Sequence, residues 1–174
     1  MTEVGRTGPG TTTGEGNEEV RAAIVAHHTG LVAGLEERVT AAEEAVELGA
    51  GAELELGAMV DYLEAEVIPH AEAEEAALYP LARTGELGTL VRAMVSEHAW
   101  LRAEARGLVG ARGVGGAARA RAIAAVFALH ADKENDLLLP ILAVSPGVDL
   151  ALVLAAMVEH LAKPAVARGG PDAR

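Results

Sequence analysis

The chain has 174 residues and a formal net charge of −12; 51% of its residues are hydrophobic, but only 2% are aromatic. This length suits one domain with an aliphatic core, and a core built from Ala, Leu and Val favours helices over β-sheet. The negative charge argues against nucleic acid and anionic membranes as partners, and the absence of Cys excludes disulfides, iron–sulfur clusters and thiol catalysis.

The two ends of the chain differ in composition from its middle. Residues 1–16 are rich in Gly and Thr and predict a disordered tail, and residues 164–174 predict a second, flexible tail. The N-terminal stretch lacks the apolar segment of a signal peptide, and no run is long and apolar enough to span a membrane. We therefore expect a cytoplasmic protein with one domain, residues 17–163, and no membrane partner.

Between the tails, apolar residues recur with helical spacing in five segments. Asn17, followed by two acidic residues, predicts the start of the first helix, and the glycine-rich residues 110–116 predict a loop before the fourth. Pro69 predicts a local kink in the second helix, and Leu137 and Ile141 are assigned to the apolar stripe of the fourth. The approximate bounds of the predicted helices are 18–48, 53–82, 86–109, 117–144 and 148–162.

An eleven-residue motif occurs twice, once in the second predicted helix and once in the fourth. The first copy reads H-A-E-A-E-E-A-A-L-Y-P from His70, and the second reads H-A-D-K-E-N-D-L-L-L-P from His130. In each copy the His precedes a Glu by four positions, Glu74 in the first and Glu134 in the second. This spacing places both side chains on one helix face, one turn apart. A pair of metal ions requires such donors in duplicate.

The first and third predicted helices each add one His to an inward stripe, His28 and His98. Four long helices with short connections predict an all-α fold, an up-down-up-down four-helix bundle with a short fifth C-terminal helix. In that bundle His28, His70, His98 and His130 all lie roughly 15 Å from the same end, at a rise of about 1.5 Å per residue. The four imidazoles are therefore expected at one level.

The six predicted ligands combine four imidazoles with two carboxylates, a mixed nitrogen and oxygen donor set. Without thiolates this set suits iron or manganese better than structural zinc. Carboxylates from two helices can bridge two cations and offset their buried charge. Six side chains do not fill the coordination of two octahedral ions, so positions remain for water, a bridging oxo or hydroxo group, or a small ligand. We expect a reactive centre rather than a purely structural one.

The motifs resemble those of the hemerythrin-like, or HHE cation-binding, family over about residues 20–143. The resemblance rests on His28, on H-A-E-A-E with L-Y-P after it, on E-H-A-W-L around His98, and on H-A-D-K-E with L-L-P after it. It implies a four-helix bundle with two non-haem iron ions, which manganese or zinc could replace. It also implies that the ligands are His28, His70, Glu74, His98, His130 and Glu134, with Glu74 and Glu134 as the bridges.

Two positions depart from the pattern of the oxygen-carrying members. Arg102 stands where those proteins have a second His on the third helix, and Asn135 stands where they have an Asp. The resemblance therefore points away from reversible oxygen carriage. It points towards members that sense or detoxify O2, NO or peroxide, or that handle iron, with catalase-like, peroxidase-like or oxygen-activating turnover as open alternatives.

Two other functions compete with this interpretation: a non-enzymatic sensor or iron-binding module, and a di-iron oxygenase acting on an organic substrate. Several neighbours of the predicted centre also have open roles. His27 is a flanking or surface residue unless it replaces His28. His160 covers the mouth of the site, binds as a fifth imidazole or is peripheral, and Tyr62 packs in the core or approaches the metals. Glu75 is assigned to a solvated face with Glu72 and Asp132. The expected assembly is a monomer or a weak homodimer.

Overall fold

A computed structural model describes residues 12–85 and 87–163, and every regular element in this part of the chain is helical, as the sequence predicts. Five helices account for these elements. Helix α1 is Thr12–Glu47, α2 covers 53–82, α3 is Leu87–Leu108, α4 covers 113–144 and α5 is Leu150–Leu161. Within these described residues, no helix is long and apolar enough to cross a membrane.

The first four helices form the predicted up-down-up-down bundle. Helix α1 packs against α2 and α4, and α3 packs against the same two neighbours from the other side. Helix α5 lies outside the bundle against α1 and against the segments Ile68–Ala73 and Glu74–Leu78 of α2. It therefore covers the part of α2 that carries the first copy of the repeated motif.

Two predicted boundaries are wrong. Helix α1 already begins at Thr12, so the predicted disorder is wrong for residues 12–16, whereas residues 1–11 and the predicted tail 164–174 lie outside the described residues. Helix α4 begins at Gly113, inside the predicted loop. A Cβ at Gly116 would collide with Leu56 and crowd Ala111. The glycine therefore allows the first turn of α4 to pack closely against α2.

Asn17 does not cap α1 but joins it to the C-terminal part of the fold. Its side chain is buried and donates to the carbonyl oxygens of Ala143 and Val148, at 3.0 Å each. Its Oδ1 accepts a hydrogen bond from the backbone N–H of Leu150 at 2.9 Å. Asp149 caps the next two amides of α5. Asn17 thus ties α1 to the turn between α4 and α5.

Three π-helical segments interrupt the long helices, and each ends two residues before a proline. The segments are Leu63–Val67 before Pro69, Glu74–Leu78 before Pro80, and Glu134–Leu138 before Pro140. Proline lacks a backbone N–H, and its ring clashes with the carbonyl four residues earlier in a regular helix. A wider turn before the proline accommodates this clash without ending the helix. The kink predicted at Pro69 is thus a π segment.

The π segment in α4 also corrects the predicted apolar stripe. Leu137 and Ile141 are 50% and 47% exposed, whereas Leu138, Leu139 and Leu142 are buried. A π segment adds one residue to the turn, which moves all later residues about 100° around the helix axis. The inward positions after Glu134 are therefore one residue later than a regular helix would place them.

The core consists of two apolar clusters on either side of a polar layer. One cluster contains Leu31, Val67, Leu101 and Phe127, and the other contains Ile24, Leu78, Met94 and Leu138. Each of the four bundle helices contributes to both clusters. The His and Glu residues singled out from the sequence lie between the two clusters on every helix. The predicted common level of the four imidazoles is therefore confirmed.

Gly34 of α1 is in close contact with Tyr62 of α2, and we expect Gly34→Ala to destabilise the protein by about 1 to 3 kcal/mol through overpacking. A Cβ at this position would lie 2.5 Å from Cζ of Tyr62. The ring is held in place by the Arg38 guanidinium, 3.9 Å from its centroid. Chemical denaturation measures the loss. In the Tyr62→Ala background the same substitution should cost little, and an equal cost in both backgrounds would contradict the steric explanation.

Candidate metal centre

The structure brings all six predicted ligands together in the buried polar layer. Each of the six residues is at most 3% exposed. Two groups among the described residues have potential ligand atoms within 4.8 Å of one another, and both contain Glu74. The first group is His28, His70, Glu74 and Glu134, and the second group is Glu74, His98 and His130. One carboxylate shared by two donor groups is the arrangement that a bridged pair of cations requires.

In the first group the imidazole Nε2 atoms face the carboxylates. Nε2 of His70 lies 2.8 Å from Oε1 of Glu74, and Nε2 of His28 lies 3.3 Å from the same oxygen. Nε2 of His28 is also 3.5 Å from Oε2 of Glu134. The four side chains come from α1, α2 and α4, so the group joins three helices of the bundle.

In the second group two imidazoles face each other. The Nε2 atoms of His98 and His130 are only 2.9 Å apart. Nε2 of His98 lies 3.5 Å from Oε2 of Glu74, and Nε2 of His130 lies 3.8 Å from Oε1 of Glu134. Glu134 therefore also borders the second group, and the two carboxylates stand between the two pairs of imidazoles.

Several buried atoms in this layer have no hydrogen-bond partner. They are Nε2 of His28, both carboxylate oxygens of Glu74 and Oε2 of Glu134. Leaving a buried polar atom unpaired costs about 1 to 3 kcal/mol, and more for a charged group. A cation between these atoms would satisfy all of them at once, and nitrogen and oxygen donors without thiolate suit iron or manganese. The donor set therefore fits a bound metal.

The outer nitrogen of three imidazoles has a hydrogen-bond acceptor. Nδ1 of His98 is 2.9 Å from Oε1 of Glu75, Nδ1 of His130 is 2.9 Å from Oε2 of Glu97, and Nδ1 of His28 is 2.8 Å from Oδ1 of Asn135. A proton on Nδ1, assigned from these acceptors, leaves the lone pair of Nε2 free to bind a metal ion at the centre. This is the usual support of an imidazole that binds metal.

The placement of Glu75 beside Arg102 corrects one prediction. Glu75 does not belong to a purely solvated face, because it accepts hydrogen bonds from both His98 and Arg102. Arg102, which replaces an imidazole of the oxygen carriers, lies 2.8 Å from Oε1 of Glu75 and is only partly exposed. It supports a carboxylate beside the centre and does not reach the donor groups.

Tyr79 is a residue of the site that the sequence analysis missed. It is fully buried and its hydroxyl donates to Oε1 of Glu134 at 2.7 Å. The Tyr79 hydroxyl oxygen is 3.2 Å from Nε2 of His130 and 3.5 Å from Nε2 of His98. The second group thus has a phenol oxygen within reach. Burial and the nearby charges of Glu74 and Glu134 raise the pKa of Tyr79, so its hydroxyl is a donor.

The two central carboxylates carry different charges without a cation. Burial raises the pKa of Glu134 well above its ordinary value, and the neighbouring charge of Glu74 raises it further. Burial alone would raise the pKa of Glu74 as well, but the nearby imidazoles of His70 and His28 lower it well below its ordinary value. Two adjacent buried carboxylates cannot both ionise without compensation. Cations bound between Glu74 and Glu134 would supply the compensating positive charge.

The other residues with open roles lie outside the two groups. His27 is exposed, and its ring meets that of His70 edge-on at 4.9 Å between centroids. Tyr62 donates to the carbonyl oxygen of Leu31 at 3.5 Å and packs in the bundle. His160 is half-buried on α5, and its Nε2 has no hydrogen-bond partner.

Metal binding is expected to release protons near neutral pH, and the release should shrink as the pH rises. Burial alone would lower the pKa of His28, but the nearby carboxylate of Glu74 raises it, and burial raises the pKa of Glu134 well above its ordinary value. Both groups therefore keep protons in the metal-free protein that a ligand must lose. Burial beside His98 lowers the pKa of His130 to about 4, so this residue contributes none.

Calorimetry of metal binding in buffers of different ionisation enthalpy measures this release. The surface variant Glu159→Gln should release as many protons as the wild type, since Glu159 lies outside both groups. A release that stays constant from neutral to alkaline pH would contradict the assignment of His28 and Glu134 as the groups that lose protons.

Comparison with known families gives one match. The family model of the Hemerythrin HHE cation binding domain matches residues 20–142, which is most of the chain and includes all six predicted ligands. Neither the curated proteins nor the solved structures contain a match to the chain.

Proposed function

Because the chain belongs to the hemerythrin HHE cation-binding family, we propose that its buried layer holds two non-haem iron ions and reacts with a small ligand, O2, NO or peroxide. The observation that carries this proposal is Glu74, whose carboxylate belongs to both donor groups and whose oxygens lack hydrogen-bond donors. His28 and His70 would hold one ion, His98 and His130 the other, and Glu74 and Glu134 would bridge them.

Burial favours a small ligand over an organic substrate. All six side chains are nearly inaccessible, and they lie between two apolar clusters. Four surface grooves of the described residues are lined by other side chains. A diatomic molecule or peroxide fits such a layer, whereas a larger substrate would require the helices to separate. This supports a peroxide- or gas-reactive protein over an oxygenase.

Iron in this donor set would supply one-electron chemistry by alternating between its ferrous and ferric states. The residues of the chain would do the rest. The Glu75, Glu97 and Asn135 side chains hold three imidazoles in one tautomer, so that Nε2 faces inwards. In the metal-free layer the Tyr79 hydroxyl donates to Glu134, and this proton would have to leave before the oxygen could bind iron. The apolar clusters exclude bulk water on both sides.

Peroxide turnover by the iron-loaded protein tests the catalytic version of this proposal. His70→Ala and Glu134→Ala should each lower turnover at least about 100-fold, because each removes a proposed ligand. His160→Ala is the matched control, since His160 lies outside both donor groups. Undiminished turnover in both ligand variants would exclude this layer as the catalyst.

A sensor is the second candidate, and the position of α5 favours it. Helix α5 packs on the segments of α2 that carry His70 and Glu74. A change in ligand or oxidation state could therefore alter the packing of α5. A wild-type protein that binds NO or O2 without turnover, and whose α5 amides exchange faster on binding, would support the sensor over the enzyme.

Tyr79→Phe tests whether the phenol oxygen completes the second group. A ferric ion bound at this oxygen would displace the phenol proton, so we expect the iron-loaded variant to keep its metal but to lose a visible phenolate-to-ferric charge-transfer band that the wild type shows. The physical reason is the position of the hydroxyl oxygen beside Nε2 of His98 and His130. The matched control is Tyr62→Phe, which removes a hydroxyl outside the layer. An unchanged visible spectrum in Tyr79→Phe would restrict Tyr79 to its hydrogen bond with Glu134.

A further inference from the structure

The three acceptors that support the imidazoles follow one rule around the bundle. Each is adjacent in sequence to a proposed ligand, because Glu75 follows Glu74, Glu97 precedes His98 and Asn135 follows Glu134. Each supports the imidazole of the neighbouring helix. The acceptor pairs are Glu75 on α2 with His98 on α3, Glu97 on α3 with His130 on α4, and Asn135 on α4 with His28 on α1.

The acceptors nevertheless differ in charge. Both imidazoles of the second group donate a hydrogen bond to a carboxylate, whereas His28 in the first group donates to the neutral amide of Asn135. Glu75 and Glu97 each face a cationic side chain as well as an imidazole. A cation within hydrogen-bond distance favours the charged form of a carboxylate.

Each carboxylate is held by a cation from the helix whose imidazole it supports. Arg102, one turn after His98, contacts Oε1 of Glu75 at 2.8 Å, and Lys133, three residues after His130, contacts Oε1 of Glu97. All four of these supporting side chains are about a quarter to a third exposed. The cations fix the carboxylates in place and withdraw part of their negative charge from the imidazoles.

We propose that Glu75 and Glu97 are positioning residues that make the two ions of the centre inequivalent. A carboxylate acceptor makes an imidazole a stronger electron donor than an amide acceptor does. The ion held by His98 and His130 is therefore the one that stays ferric longer, and the ion held by His28 and His70 is reduced first. This inference rests on the proposed di-iron centre and adds a fixed order of reduction to it.

A redox titration of the iron-loaded protein, followed by electron paramagnetic resonance, tests this order. The wild type should pass through a well-populated half-reduced state with one ferrous and one ferric ion. Glu75→Gln and Glu97→Gln keep the shape of the side chain but remove its charge. Each variant should raise the reduction potential of the ion held by His98 and His130. Each should also lower the equilibrium constant for forming the half-reduced state about tenfold or more.

Two further variants distinguish an electronic role from a merely structural one. Asn135→Asp should also lower that constant, because it strengthens the imidazole of the first group. Arg102→Gln should act in the opposite direction from Glu75→Gln, since it leaves a more basic carboxylate beside His98. A general loss of folding would change the equilibrium constant in the same direction in every variant, so opposite changes in Arg102→Gln and Glu75→Gln indicate an electronic role.

The outcomes separate the order of reduction from the di-iron proposal itself. Suppose both Gln variants bind two irons and show the same potentials and the same yield of the half-reduced state as the wild type. That result would overturn the order of reduction but would leave the di-iron proposal intact. A wild-type protein that binds fewer than two irons after loading would overturn both. Metal content is measured on the same samples, so the two failures are distinguishable.

Discussion

Glu74→Gln is expected to abolish the binding of both ions, with a loss of affinity greater than about 100-fold, which is the upper end for changes to residues that merely support ligands. Glu74 is the residue common to both donor groups, and both of its oxygens are buried without a hydrogen-bond donor. Glutamine keeps the shape of the side chain but cannot bridge two cations as an anion. Calorimetry and metal analysis of the loaded variant measure the loss.

The metal-free form of the same variant should be no less stable than the metal-free wild type. Its neutral amide no longer repels Glu134, whose pKa is raised by burial and by the charge of Glu74. Glu64→Gln, an exposed change on the same helix, is the matched control and should retain both ions. Retention of two ions per chain by Glu74→Gln would contradict the bridging role.

Asn17→Ala is expected to destabilise the protein by about 3 to 5 kcal/mol. The buried side chain makes hydrogen bonds to Ala143, Val148 and Leu150. Alanine would leave two carbonyls and one amide without these partners, and each such group costs about 1 to 3 kcal/mol when it stays buried. Relaxation of the turn would recover part of this sum, because water can reach it once α5 loosens. Denaturant unfolding and hydrogen exchange of the α5 amides measure the effect.

Asp149→Ala provides the comparison at the same turn. Its exposed side chain accepts hydrogen bonds from the backbone amides of Ala151 and Leu152 at the start of α5. The loss of such a cap costs about 1 kcal/mol. The Asn17 variant should therefore be the less stable of the two and should show faster exchange throughout α5. Equal losses in both variants would show that Asn17 has no special role in attaching α5.

The spacing of charged and apolar residues predicts most of the bundle and the composition of its polar layer. His at four inward positions, two of them followed by Glu one turn later, requires only the 3.6-residue period of a helix. That period also predicts the common level of the imidazoles, which the two apolar clusters on either side confirm. The six residues remain predicted ligands until metal is measured.

Tyr79 shows why the remaining part of the site was missed. A regular helix after Glu74 would turn Tyr79 away from the layer, but the π segment Glu74–Leu78 shifts it by one residue. The Tyr79 backbone N–H bonds to the carbonyl oxygen of Glu74, five residues earlier. Pro80 was the available signal, since each π segment ends two residues before a proline. The matching residue in the second copy is Leu139, so only one group gains a phenol.

Hydrogen bonds between residues far apart in the sequence could not be predicted from helical periodicity, for a different reason. Asn17 has the local pattern of a helix cap, and only the return of the chain at Val148 and Leu150 gives it other partners. Glu75 likewise has the pattern of a solvated residue, until α3 places His98 and Arg102 beside it. Such partners depend on how the helices are packed together.

The iron content of protein produced in iron-replete medium, measured together with its absorption spectrum, tests the di-iron centre most directly. We expect two irons per chain, a ligand-to-iron charge-transfer band, and a loss of stability when a chelator removes the metal. The shared carboxylate of Glu74 and the unpartnered atoms around it are the reason for this expectation. A protein that is isolated without metal, takes up none and is equally stable with and without added iron would contradict it.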